Sequence, residues 1–365
     1  MAAEAAEHDR DTGLASFLRG CPDPLCQAYD VALLDLDGVV YLGDAAVPGA
    51  PQALAKAADS GLRLAFVTNN SSRTPSAIAA QIASFGVQAT AADVVTSAQA
   101  AATLLAGRLA PGSAVLVVGG NGLRAAVRER GFRPVTTALE RPAAVVEGFA
   151  PGIGYSLLCE GALAVRAGAW YVASNADATM PTGRGIQPGN GALCQVIVYS
   201  TGQQPVVAGK PEPPLHAEAV ARTGARHPLV VGDRLDTDIE GAVRAGAPSL
   251  LVFTGVTRHE DAVLAPPARR PTYLAADLAG LLAPHPPIAT QQVGPDQVGP
   301  DQISSERRVF RCAGWTARRP DGDAPLALEG SGDALDGLRA LCAAAWSADH
   351  VTAEMIRPAL AALPG

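Results

Sequence analysis

Four apolar runs in this 365-residue chain each end in a polar residue able to do chemistry. Val31-Ala-Leu-Leu-Asp35-Leu-Asp37-Gly-Val-Val40 delivers two carboxylates, two positions apart, to a glycine turn. Phe66-Val67-Thr68-Asn69-Asn70 delivers a hydroxyl, and Val206-Val207-Ala208-Gly209-Lys210 an amine. Leu229-Val230-Val231-Gly232-Asp233 delivers a further acid. A carboxylate pair, a hydroxyl, a lysine and another acid are the groups that Mg²⁺-dependent phosphoryl transfer through an aspartyl-phosphate requires.

The chemistry assigns expected roles. Asp35 is the nucleophile that attacks phosphorus. A carboxylate approaching a phosphate dianion is repelled, so a cation must bridge them, and Mg²⁺ takes hard oxygen ligands in octahedral geometry. Asp35, the backbone carbonyl of Asp37 and Asp233 are the expected protein ligands, with Asp238 orienting a metal-bound water. Asp37 is the expected general acid and base, a role that contributes about 10²–10⁴-fold. Thr68 and the backbone N–H groups around Asn69 and Asn70 are expected to hold phosphate oxygens, and Lys210 to balance charge.

Each motif alone has a plainer reading. A D-x-D-G is often a strand-to-turn junction, and a Thr-Asn-Asn is usually turn chemistry. A Gly-Lys-Pro is often a loop with a solvated lysine, and Gly-Asp with a second Asp five residues on an N-capped helix. Their occurrence in this order, each after an apolar run, favours the chemical reading. Gly119-Gly120-Asn121-Gly122 lacks the full G-x-G-x-x-G spacing and reads as a strand-to-helix turn. His216, His227 and His259 show no ligand spacing and read as surface or capping residues. Arg269-Arg270 and Arg307-Arg308 read as solvated charge. Ser156 and Ser200 lack a nucleophile elbow.

Short apolar strands alternate with helices from Tyr29 onward, which implies α/β architecture with parallel strands buried on both faces. In such a sheet, ligands bind outside the carboxyl ends of the strands, where these residues fall. Residues 1–24 read as a weakly ordered tail, and 25–110 with 205–283 as a core. A second α/β unit, 111–204, is inserted into it. Val293-Gly-Pro-Asp-Gln297 repeats at once as Val298-Gly-Pro-Asp-Gln302, so 284–302 reads as a polar linker. Residues 303–365 are too few to bury much surface alone and read as a small appended or docked domain, helical over Ala334–Trp346.

Composition narrows the class. Hydrophobic residues make up 48% and aromatics only 4%, so Ala, Val and Leu must do the packing. A net charge of -7 argues against nonspecific nucleic-acid binding. Six cysteines without a C-x-x-C point to free thiols in a reducing compartment. The first residues lack a continuous apolar stretch, so a cytoplasmic protein without membrane insertion is expected.

Taken together, the motifs resemble the haloacid dehalogenase superfamily of phosphatases. Its four motifs match Asp35/Asp37, Thr68, Lys210 and Asp233/Asp238. An insertion between the second and third is typical of the class IIA branch, the NagD-like and 4-nitrophenylphosphatase-like enzymes. Tyr41-Leu-Gly43 with Pro48-Gly-Ala50, and Ala173-Ser-Asn175-Ala-Asp177-Ala-Thr-Met-Pro181, are also similar to that branch, although its usual prolines are replaced by Ala176 and Ala178. The resemblance implies a Rossmann-like core with a C2-type cap, Mg²⁺ as cofactor, a small phosphorylated metabolite as substrate and possible homo-oligomerisation through the cap. The run Val230–Gly241, Pro188–Gly191 and Arg269–Tyr273 are similar to the actinobacterial glycerol 3-phosphate phosphatases. That implies hydrolysis of glycerol 3-phosphate in glycerophospholipid recycling. A broad-specificity 4-nitrophenyl-, phosphoglycolate- or nucleotide-type phosphatase, and a regulatory binding module, remain the alternatives. The inserted cap is expected to supply selectivity, with Asn175 and Asp177 either contacting the alcohol or capping a turn.

Overall fold

A computed structural model describes residues 17–182, 184–293, 307–318, 322 and 324–364. Packing divides the chain into two compact units. One comprises Val31–Ala46 and Arg63–Pro228, the other Met1–Asp30, Val47–Leu62 and Leu229–Gly365. Among the described residues no helix is long and apolar enough to cross a membrane.

The first unit is α/β and holds two sets of parallel strands. Val31–Leu34 pairs with Arg63–Thr68, which pairs with Val94–Thr96. All of Val31–Leu34 is buried, as an apolar strand covered on both faces should be. The helix Pro75–Ser84 follows; Thr74 caps it by accepting from the Ala77 N–H, and proline opens its first turn. The second set has five strands, in the order Val206–Val207, Trp170–Ala173, Ala144–Glu147, Ala114–Val118 and Arg133–Val135, all parallel. Leu116, Val118, Val145, Tyr171 and Ile197 form its buried core.

One expectation changes here. Val206–Val207 was expected to resume the strand set that holds Asp35. It lies instead beside Trp170–Ala173 in the five-stranded set, Val206 pairing with Val172. A two-residue strand carries no pattern that names its partner. Further along, Thr179–Thr182 and Gly185–Pro188 form an antiparallel hairpin before the helix Asn190–Thr201.

Gly119-Gly120-Asn121-Gly122 is a strand-to-helix turn, with Gly120 at the N-cap of Asn121–Glu129. Its glycines have a packing reason: a Cβ on Gly122 would lie 2.3 Å from the Arg73 carbonyl oxygen. His216 is a correction. It is buried in the helix Pro213–Thr223, not on the surface, and its pKa is pushed down to about 3, first by burial and then by Lys210.

The second unit holds the parallel strands Pro228–Gly232, Ser249–Val252 and Tyr273–Ala275. It also holds a four-stranded antiparallel sheet, Ala289–Val293, Arg307–Cys312, Trp315–Arg318 and Ala327–Gly330. The helices Ala334–Trp346 and Ala353–Ala361 follow. One core cluster includes Ile239, Leu251 and Leu274 together with Phe310, Trp315, Leu341 and Trp346. The C-terminal segment therefore docks.

The expected linker is corrected at its start, because Ala289–Val293 is a strand paired with Arg307–Arg311. Most of the repeat, 294–302, lies outside the described residues. The expected tail is corrected too. Leu18 is buried, and Cys21 exchanges backbone hydrogen bonds of 2.8 Å with His285; residues 1–16 lie outside the description. Arg308 is buried, and the Arg270 guanidinium stacks 5.2 Å over the Trp346 ring. These two arginines are packed, not solvated. All six cysteines are free thiols.

Candidate active site

The register of the first unit sets Leu34 opposite Phe66, so Asp35 leaves its strand level with Val67 of the neighbouring parallel strand. Lys210 bridges them. Its Nζ donates to Asp35 Oδ1 at 2.5 Å and to the Val67 carbonyl at 3.0 Å. The lysine side chain is only 4% exposed and the Asp35 side chain 14%. A cation held this dry is matched to an anion, because an unmatched charge there would be costly. Thr68, buried at its strand end, accepts from the Asn70 N–H at 3.1 Å.

Asp37 is presented by the turn that follows. Gly38 takes φ 85 and donates its N–H to the Tyr41 carbonyl at 2.8 Å. Asp37 is open to solvent, yet the protein around its carboxyl thins its hydration and pushes its pKa up, against the pull of Arg73 and Lys210. The Tyr41 hydroxyl is pushed up as well, first by burial and then by Asp37. Arg73 was missed in the sequence. Its only signal was a basic residue at the end of the Asn69-Asn70-Ser71-Ser72-Arg73 loop.

That loop is tied on every side. Asn70 Oδ1 accepts from the Ser72 N–H at 3.0 Å, the Ser72 hydroxyl at 3.1 Å and the Arg73 N–H at 3.2 Å. The Asn69 carbonyl accepts from the Ser97 hydroxyl at 2.7 Å and from Asn175 Nδ2 at 2.8 Å. Asn69 Nδ2 donates to both Asp177 carboxylate oxygens at 3.2 Å and to the Lys210 carbonyl at 3.1 Å. The Lys210 N–H donates to Asn69 Oδ1 at 2.8 Å. Asn175 is buried and accepts from the Asp177 N–H at 3.1 Å. Asn175 and Asp177 thus form a turn tied to the Asn69 loop.

Asp233 and Asp238 stand in the second unit. Asp233 follows Gly232 at the end of its strand and is fully buried; its Oδ2 accepts from the Val256 N–H at 2.7 Å. Asp238 lies in a π-helical turn, Leu235–Ile239, with Oδ2 accepting from the Arg234 N–H at 3.1 Å. Such turns recur at functional sites. A Cβ on Gly255 would come within 2.0 Å of Asp233 Oδ2, so the backbone approaches this carboxylate as closely as a glycine allows. Hard carboxylate oxygens held this way suit a small divalent cation, and these residues fit Mg²⁺.

A further buried group went unread. Glu147 ends the strand Ala144–Glu147 and is fully buried, with the Tyr171 hydroxyl donating to its Oε2. Burial pushes its carboxyl up to about 7, against hydrogen bonds from Tyr171 and Cys194. The acid at the end of an apolar strand was its sequence signal.

Comparison with known proteins gives consistent matches. Residues 32–133 match a model of haloacid dehalogenase-like hydrolases, and 207–281 a second HAD-hydrolase-like model. Residues 312–363 match a GCN5-related N-acetyltransferase like domain. The chain is 52% identical over 257 residues to the D-glycerol 3-phosphate phosphatase of Mycobacterium tuberculosis, covering 70% of this chain and 72% of that protein. It is 40% identical to a 5'-nucleotidase of Bacillus subtilis, over 64% of this chain and 91% of the relative. A crystal structure of the glycerol phosphate phosphatase from Mycobacterium tuberculosis in complex with magnesium superposes with a TM-score of 0.81 at 44% identity. That match covers 93% of this chain and 99% of the other.

Proposed function

Since the chain belongs to the haloacid dehalogenase superfamily, in its class IIA branch, we propose that it is a Mg²⁺-dependent phosphomonoesterase whose substrate is glycerol 3-phosphate. The observation that carries the substrate is the 52% identity to a D-glycerol 3-phosphate phosphatase. The reaction class is supported by the Asp35–Lys210 contact beside Thr68.

On this reading Asp35 attacks phosphorus and forms the acyl-phosphate, while the alcohol leaves. Asp37 gives the alkoxide its proton and then takes one from the hydrolytic water. Its open position suits it to both partners, and a raised pKa suits it to the acid step. Lys210 balances charge beside Asp35, and Thr68 with the N–H groups of Asn69 and Asn70 holds phosphate oxygens. Asp35, the Asp37 carbonyl and Asp233 would hold Mg²⁺, with Asp238 steadying the shell. The ion, when bound, screens the phosphate dianion from the attacking carboxylate. Segment 111–204 acts as the cap, and its Asn175–Asp177 turn is tied to the Asn69 loop.

A phosphate-release panel tests the substrate. It should hold both glycerol 3-phosphate enantiomers, 2-phosphoglycolate, pyridoxal phosphate and nucleoside monophosphates. One glycerol 3-phosphate enantiomer is expected to have the highest kcat/KM. A nucleotide or phosphoglycolate in first place would overturn the substrate and leave the reaction class standing.

A further inference from the structure

We infer that Asn69 is a positioning residue for Lys210, holding that residue's backbone by both its N–H and its carbonyl while Asp177 of the inserted segment holds the same amide. This rests on the reading of Lys210 as part of the catalytic machinery. The orientation of the amide follows from its partners. The Lys210 N–H can only donate, so Oδ1 must face it at 2.8 Å. Nδ2 is then turned to the Lys210 carbonyl at 3.1 Å and to the Asp177 carboxylate at 3.2 Å. One carboxamide thus completes, from 141 residues away, the pair of bonds that a neighbouring strand would give Lys210.

Lys210 needs this support. Its preceding strand, Val206–Val207, is two residues long and pairs with Trp170–Ala173. That strand does not itself run beside Val31–Leu34 or Arg63–Thr68. Without another tie, nothing in the short strand fixes Nζ to 2.5 Å from Asp35. Asn69 is a rigid choice for the tie. It immediately follows Thr68, and its own carbonyl is fixed by Ser97 and Asn175. The fit is tight as well, since a Cβ on Gly209 would lie 2.5 Å from Asn69 Oδ1. A side chain that merely touched substrate would have its amide turned to the open site. Here the donor and acceptor faces of Asn69 are both engaged by the chain.

A double-mutant cycle between Asn69 and Lys210 tests the inference, read on phosphate release from glycerol 3-phosphate and from 4-nitrophenyl phosphate. Asn69→Ala is expected to lower kcat about thirtyfold or more, by the same factor for both esters, with KM within about threefold. In a Lys210→Ala background the same change should cost less than about threefold, because the group it positions is gone. The isosteric Asn69→Asp keeps the acceptor for the Lys210 N–H but faces the Asp177 carboxylate with a like charge. It carries the same cycle if the alanine variant does not fold. Adding Asp177→Asn to Asn69→Asp should recover part of its lost kcat. An equal loss in both Lys210 backgrounds would make Asn69 a scaffold residue only, and a rise in KM confined to one ester would make it a substrate contact; either overturns the inference. Wild-type turnover in Lys210→Ala itself would overturn the underlying reading of the lysine, a different result from either of these.

Discussion

Lys210 donates a 2.5 Å hydrogen bond to Asp35, a residue 175 positions away, and both belong to one compact unit. The pair joins a carboxylate to its counter-charge away from the surface, where solvent would weaken it. Lys210→Ala should therefore cut kcat by about 10²–10³-fold, the usual cost of deleting a preorganised electrostatic group. Stopped-flow phosphate release measures it, and turnover within about tenfold of wild type would contradict the role.

Gly255 gives a test of the metal side. A methyl group there would press on Asp233 Oδ2 from 2.0 Å. Gly255→Ala is expected to raise the Mg²⁺ concentration for half-maximal activity by about tenfold or more, since ligand displacement weakens hard-cation binding. Titration of Mg²⁺ into EDTA-stripped protein reads the shift. EDTA alone should abolish turnover, and full activity in metal-free buffer would remove the ion from the account.

Two buried groups set opposing pH trends. His216 is folded neutral with its pKa pushed down to about 3. Its contribution to stability is complete above the unfolded value of about 6.5 and is lost as pH falls towards 3. Glu147 has its pKa pushed up to about 7. Its contribution is complete below an unfolded value of about 4.3 and is lost as pH rises through 7. Each trend has a slope of about 1.4 kcal/mol per pH unit, so between about pH 4.5 and 6.5 they offset one another. Glu147→Gln should leave the histidine trend exposed, and urea melts should show stability rising with pH across that window relative to wild type. A variant and a wild type with parallel profiles would show that Glu147 does not titrate as described.

The C-terminal segment is part of the second unit's core. Trp346 donates its indole N–H to the carbonyls of Ala262 at 3.2 Å and Val263 at 3.1 Å, and Arg339 donates to the Leu274 carbonyl at 2.6 Å. Trp346→Ala is expected to cost about 3–5 kcal/mol, as other buried tryptophan truncations do. Removing 303–365 would expose Ile239, which follows Asp238 directly. Truncated protein that melted like the full chain would contradict this packing.

How far the sequence could be read follows from which signals are local. Asp35 and Thr68 were legible because an apolar strand followed by a polar residue is a local pattern, and Val31–Leu34 and Arg63–Thr68 are those strands. The helix Ala334–Trp346 was legible from periodicity, but the surface it packs against was not, because a buried face does not name its partner. Lys210 was found by type, while its strand was assigned to the wrong set, because Val206–Val207 is too short to carry a register. The hairpin Thr179–Pro188 was missed because its second strand is exposed throughout, which removes the alternation that marks a strand. The role of Asn69 was invisible, since its partners stand 108 and 141 residues away.

The most direct test of the central claim is to trap the covalent intermediate. Asp37→Asn protein should be mixed with ³²P-labelled glycerol 3-phosphate and Mg²⁺, quenched in acid and digested. The label is expected on the peptide containing Asp35, as an acyl-phosphate that hydroxylamine removes, and it should be absent from Asp35→Asn protein. Label on any other residue, or phosphate released by Asp35→Asn at the wild-type rate, would contradict the assignment of Asp35 as nucleophile.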